Sequence, residues 1–203
     1  MWPLTALLAL AVALPPRRRP PRRTGACTCS RFGALFAEYG RRFGIPPTFL
    51  AVLACRESDC NPRDRKGPAW GLMQITESVR RSVPRERGRG HYERAQLLTP
   101  RISVYLCAIT LRNIVRTYQA VGVAPAWRSR AYVELVAAGW NAGYSRAAGV
   151  GRVLAYLREN KLPLTARAVH AHARAAGATR FLWAFPARLA FWEGIASAYM
   201  RTL

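Results

Sequence analysis

The chain has 203 residues, 51% of them hydrophobic, enough for one domain with a real core, which excludes a wholly disordered protein. It carries 32 Lys+Arg against 10 Asp+Glu, a formal net charge of +22, and almost all of the excess is arginine. Such a balance favours a polyanionic partner, whether nucleic acid, anionic lipid or anionic cell-wall polymer, and does not choose among them.

In chain order, Leu4 to Leu14 is an apolar run of signal-peptide length, too short to span a bilayer as a helix. Cleavage near Ala11 or Ala13 is one expectation, and lipidation of Cys27 after Gly25-Ala26 is the other. Pro15 to Arg23 is a Pro/Arg tract that cannot build a core and is expected to be an extended arm. Residues 1–29 are therefore assigned as leader plus linker, and residues 30–203 as one helical domain.

Within that domain, strand-like alternation is rare, and Ala, Leu and Arg at helical spacings predict an all-α fold. A first helix is expected from Ser30, with Phe32, Leu35, Phe36, Tyr39 and Phe43 on one stripe and Gly44 as its stop. Pro46-Pro47 opens a second helix, which Asn61-Pro62 should end. Glu57 falls four residues after Leu53 and three after Ala54, so it shares their apolar face and points inward or into a cleft. A short polar loop leads to Gly71, and a helix is predicted over Thr76 to Val83. A loop over Pro84 to Gly90 and a long helix from Thr99-Pro100 follow. Gly122 to Ser129 reads as a loop, with further helices near 130–138, 151–159, 163–176 and 188–201.

Three short motifs stand out: Glu57-Ser58, then Gly71-Leu72-Met73-Gln74, then Gly139-Trp140-Asn141-Ala142-Gly143. In this order they resemble the signature of the lytic transglycosylase and goose-type lysozyme superfamily. The approach Gly44-Ile45-Pro46-Pro47 and the helix after Pro100 are similar to the family's as well. The resemblance covers about Ser30 to Gly151 and implies a lysozyme-like helical domain with the acid at a helix end facing a cleft. Arg152 onward carries no recognisable motif.

Breaking a glycosidic bond requires a proton for the departing oxygen and stabilisation of an oxocarbenium-like transition state. A partly desolvated carboxylic acid supplies that proton, and the resemblance implies Glu57 for the role. It also implies cleft positions for Ser58, Met73, Gln74, Trp140 and Asn141, as substrate contacts or supports of the site. No convincing second carboxylate is visible; Asp59, Asp64 and Glu77 are the nearest alternatives. The resemblance suggests that one suffices, with the substrate's own N-acetyl group assisting departure and a 1,6-anhydro ring closing on the C6 hydroxyl. Two departures from the family pattern bear on this chemistry. Trp140 stands where the family has Tyr, keeping one N–H donor but losing the phenolic acceptor. The loop between Asn61 and Gly71 is one residue short and rich in charge.

Five cysteines suit an oxidising compartment, and the odd number leaves at least one outside a disulfide. One or two disulfides are expected, with Cys27 or Cys29 joined to Cys60. Cys107, in an apolar helix, reads as a buried free thiol. No metal or other cofactor is expected.

The function expected is an exported, periplasmic, envelope or extracellular peptidoglycan-cleaving enzyme acting on the MurNAc–GlcNAc linkage. A hydrolytic muramidase and a non-catalytic basic protein for wall or nucleic acid are the alternatives. No nucleic-acid module is visible, so nucleic acid is the less favoured partner, and a secretion or phage assembly is a further candidate partner.

Overall fold

In the computed structural model, residues 29–179, 182 and 187–203 are described. The expectations for the leader, the Pro/Arg arm and Cys27 fall outside them. Helix dominates: the described residues hold eight α helices, two short 3-10 turns and a two-stranded hairpin, joined by loops. No helix among them is long and apolar enough to cross a membrane.

A 3-10 turn over Ser30–Phe32 leads into α1 (Gly33–Phe43), which buries Phe36 and Tyr39 and ends at Gly44. Helix α2 (Pro47–Ser58) places Pro47 in its first turn, where a missing N–H costs nothing. Phe49, Leu50, Leu53 and Ala54 are all fully buried, so α2 is a central helix rather than an amphipathic surface one. It stops at Ser58, three residues before Asn61, because Asp59 (φ 52) and Cys60 (φ 61) both turn left-handed. The Asp59 N–H then bonds the carbonyl of Cys55 at 3.0 Å, satisfying one of the helix's last acceptors.

The charged segment after α2, expected to be a plain loop, forms an antiparallel hairpin of β1 (Arg65–Lys66) and β2 (Ala69–Trp70), paired Arg65 with Trp70 and Lys66 with Ala69. Strands of two residues are too short to leave any alternation in the sequence. Helix α3 (Glu77–Ser82) and a 3-10 turn (Arg94–Leu98) follow, then α4 (Pro100–Ala120), the long core helix. Helix α5 (Arg130–Ala142) carries the third motif, and α6 (Val150–Glu159) and α7 (Ala166–His172) lie beyond it. Helix α8 (Ala187–Met200) returns to pack along α5 and across α2. Helix α7 is shorter than the sequence predicts, whereas α5 runs four residues past its expected end, through the third motif. Phe49 of α2, Trp127 of the 122–129 loop and Tyr199 of α8 form an aromatic knot, with centroids 5.1 and 5.5 Å from Phe49. All of this belongs to one continuous core.

Cys29 and Cys60 form a disulfide that ties the start of the domain to the turn after Glu57. Cys55 is disulfide-bonded too. Cys107 is a buried free thiol, as its place in an apolar helix suggests.

Candidate active site

Glu57 occupies the last turn of α2, half-buried, on the side where Leu53 and Ala54 enter the core. The indole N–H of Trp140, on α5, donates to Glu57 Oε1 at 2.9 Å. This bond joins the first and third motifs across 83 residues of chain. From the hairpin, Lys66 donates its ammonium to the backbone carbonyl of Glu57, one of the acceptors left over at a helix end. The same ammonium pairs with Asp64 at 2.9 Å. On the core side, burial and then the charge of Glu57 push the Cys107 thiol well above its ordinary value, so it stays protonated.

The second motif is held against α2 from inside. Ser58 is 3% exposed, and its hydroxyl donates to the carbonyl of Leu72 at 2.7 Å. Ser58 thus fastens the loop to the helix that carries Glu57. Gly71 has φ 82, and a Cβ there would lie 2.0 Å from the carbonyl oxygen of Leu97. The close approach that Gly71 permits is therefore to backbone. Met73 has no exposed surface, and its N–H is taken by the Ser103 hydroxyl at 3.0 Å. Of the two roles expected of Met73, substrate contact or support, its full burial leaves that of support within the core.

Gln74 has two properties that a packing residue rarely combines. Its φ is 48, left-handed for a non-glycine residue, and it is only 6% exposed. Its Nε2 donates to the carbonyls of Gly71 (2.8 Å) and Asp64 (3.3 Å). Its Oε1 is buried with no hydrogen-bond partner among the described residues. Buried acceptors are nearly always satisfied, and strained backbone gathers at functional sites.

In the third motif, Tyr118 of α4 explains why glycine stands at 139. The Tyr118 hydroxyl, bonded to the carbonyl of Leu135 at 2.8 Å, lies 2.3 Å from where a Cβ on Gly139 would be. Asn141 turns its Oδ1 toward α8, accepting from Arg188 Nη1 at 2.7 Å and Trp192 Nε1 at 3.2 Å. Neither donor was foreseen as part of the site, because residues 47 and 51 positions away leave no local pattern. Lys66 was missed for a different reason: it lay in a segment read as solvated loop.

The other carboxylates considered are exposed or paired with basic side chains. Asp59 is exposed, Asp64 pairs with Lys66, and Glu77 bonds Arg80 and Arg81. The assembly is an all-α, lysozyme-like domain with a half-buried glutamate at a helix end, braced by hairpin and third motif.

The sequence profile described as Transglycosylase SLT domain matches residues 34–160, well over half of the chain, and the chain belongs to that family. Glycan cleavage in peptidoglycan is the activity this membership carries at the level of the family. No curated protein matches the sequence.

Proposed function

We propose that the protein is a peptidoglycan lytic transglycosylase that cleaves the β-1,4 bond between MurNAc and GlcNAc with Glu57 as its single acid and base. The observation that carries this reading is the Trp140–Glu57 hydrogen bond at 2.9 Å, which ties the third motif to a carboxylate oxygen of the first. Glu57 gives its proton to the glycosidic oxygen as the bond to the MurNAc C1 breaks, and the N-acetyl carbonyl of the substrate supports the developing cation. The carboxylate then takes the proton of the C6 hydroxyl, whose oxygen closes on C1 to form the 1,6-anhydro ring. The indole N–H of Trp140 hydrogen-bonds the carboxyl group that performs both proton transfers.

Gln74, whose Oε1 is buried, supports the second-motif loop in this reading through its Nε2 bonds to the carbonyls of Gly71 and Asp64. Trp140 gives an aromatic wall as well as the hydrogen bond. Asn141 faces the cleft beside it, and Ser58 supports the loop. Residues 30–203 are the working domain and residues 1–29 its leader and arm; the substrate places the enzyme in the envelope or outside the cell. The arginine excess suits attraction to anionic wall polymers.

Incubation with purified peptidoglycan, followed by mass spectrometry of the products, tests this directly. Anhydro-MurNAc ends are expected from the native chain. Glu57→Gln keeps the shape but can neither donate nor accept the proton, and should lower the rate by roughly 10²–10⁴ with unchanged thermal unfolding. Reducing ends would instead identify a hydrolytic muramidase. No cleavage, or wild-type cleavage by Glu57→Gln, would overturn the assignment of the acid.

A further inference from the structure

The family match ends at residue 160, yet α8 reaches back to the two helices that carry the first and third motifs. On α2, the guanidinium of Arg56, the neighbour of Glu57, lies 5.9 Å from the centroid of Phe191. Its Nη2 is 2.6 Å from where a Cβ on Gly194 would sit, so the guanidinium lies against the backbone of α8. On α5, Arg188 and Trp192 both donate to Asn141 Oδ1. Trp192 is fully buried and backed by His170 of α7, with ring centroids 6.2 Å apart. Its indole is therefore held by packing before it meets Asn141.

These two bonds decide which way the Asn141 amide faces. Guanidinium and indole are donors only, so the oxygen must turn to α8 and the NH₂ must turn away from it. We infer that Arg188 and Trp192 are positioning residues, which hold Asn141 so that it offers the cleft a pure hydrogen-bond donor. The group it takes is then a neutral acceptor oxygen of the glycan, a hydroxyl or an acetamido carbonyl, and not an N–H. This inference rests on the glycan-binding reading above, and it gives the segment after residue 160 a part in the site.

The test uses the full chain and soluble, uncrosslinked glycan strands, with affinity measured in the Glu57→Gln background so that the strand stays whole. Arg188→Met and Trp192→Phe should each weaken binding by about tenfold, the equivalent of one charge-assisted or buried hydrogen bond. In an Asn141→Ala background, Arg188→Met should add less than a twofold loss, because the residue it acts through is gone. Asn141→Asp keeps the acceptor for Arg188 and Trp192 but replaces the donor. It should melt at or above the parent temperature while also binding about tenfold more weakly. A general role in packing would give the reverse pattern: a lower melting temperature, and equal losses with or without Asn141. If Trp192→Phe fails to fold, Arg188→Met and Asn141→Asp decide the matter. Parent-like affinity in Asn141→Asp, or equal effects of Arg188→Met in both backgrounds, overturns the inference. Strands that are bound as described but never cleaved by the native chain sink the catalytic assignment alone. Absence of binding sinks both.

Discussion

Replacing Gly71 with alanine separates two explanations of the glycine in the second motif. If Gly71 were there to let a sugar come close, Gly71→Ala would weaken substrate binding and leave stability alone. The structure argues for backbone packing instead. The residue has φ 82, and its new Cβ would meet Leu97 O at 2.0 Å, Leu97 C at 3.0 Å and Ser103 Oγ at 3.2 Å. Left-handed backbone costs a non-glycine residue roughly 1–2 kcal/mol. Forcing an extra carbon into a packed site adds about 1–3 kcal/mol, and here the obstacle is backbone, which cannot rotate aside. Together these predict a loss of about 2–5 kcal/mol, and at roughly 2–4 °C per kcal/mol for a chain of this size the melting temperature should fall by about 4–20 °C. Activity should fall with it, since Gly71 O anchors the Gln74 side chain at 2.8 Å. Calorimetry beside a peptidoglycan digestion assay reads both effects. A Gly71→Ala chain that melts within about 1 °C of the native one would refute the packing argument, whatever its activity.

Removing the Cys29–Cys60 bond with paired Cys→Ser changes should cost no more than about 3.7 kcal/mol, the chain-entropy value for a separation of 31 residues. That is a ceiling because Cys55, within the loop, is also disulfide-bonded, and denaturant titration under oxidising conditions checks it. The Glu77 carboxyl is held at about 2, against its ordinary 4.5, by hydrogen bonds from Arg80 and then Arg81. Its folded value is depressed, so its contribution to stability is present above about 4.5 and lost as pH falls toward 2; an NMR titration midpoint near 4.5 would contradict this. Salt should raise the apparent substrate constant while leaving turnover at saturation nearly constant, because exposed Arg charges are screened beyond about 8 Å at physiological ionic strength. Equal loss of both in a salt series, with aggregation excluded, would remove electrostatic docking as the reason for the arginine excess.

Much of this molecule follows from local rules that act within a few residues. The spacing of Phe32, Phe36, Tyr39 and Phe43, the Pro47 start and the Gly44 stop define the first two helices without any knowledge of their partners. Glu57 was legible for the same reason: its offset from Leu53 and Ala54 sets its face, and the motif order sets its company. What sequence could not supply is the set of contacts made between distant segments. Fully buried Met73 and nearly buried Ser58 look alike as neighbours of the site until packing decides which atoms face the core. The hairpin that brings Lys66 to the Glu57 carbonyl is too short for any periodic signal. The hold of Arg188 and Trp192 on Asn141 depends on how α8 lies along α5, and that is set by the shapes of many core side chains at once. Local propensity and motif spacing thus determined which helices form and which carboxylate lies at a helix end. Only tertiary packing decided which neighbours would hold that carboxylate, and which way the surrounding amides would face, because hydrogen-bond partners across the fold are chosen by geometry that no short stretch of chain encodes.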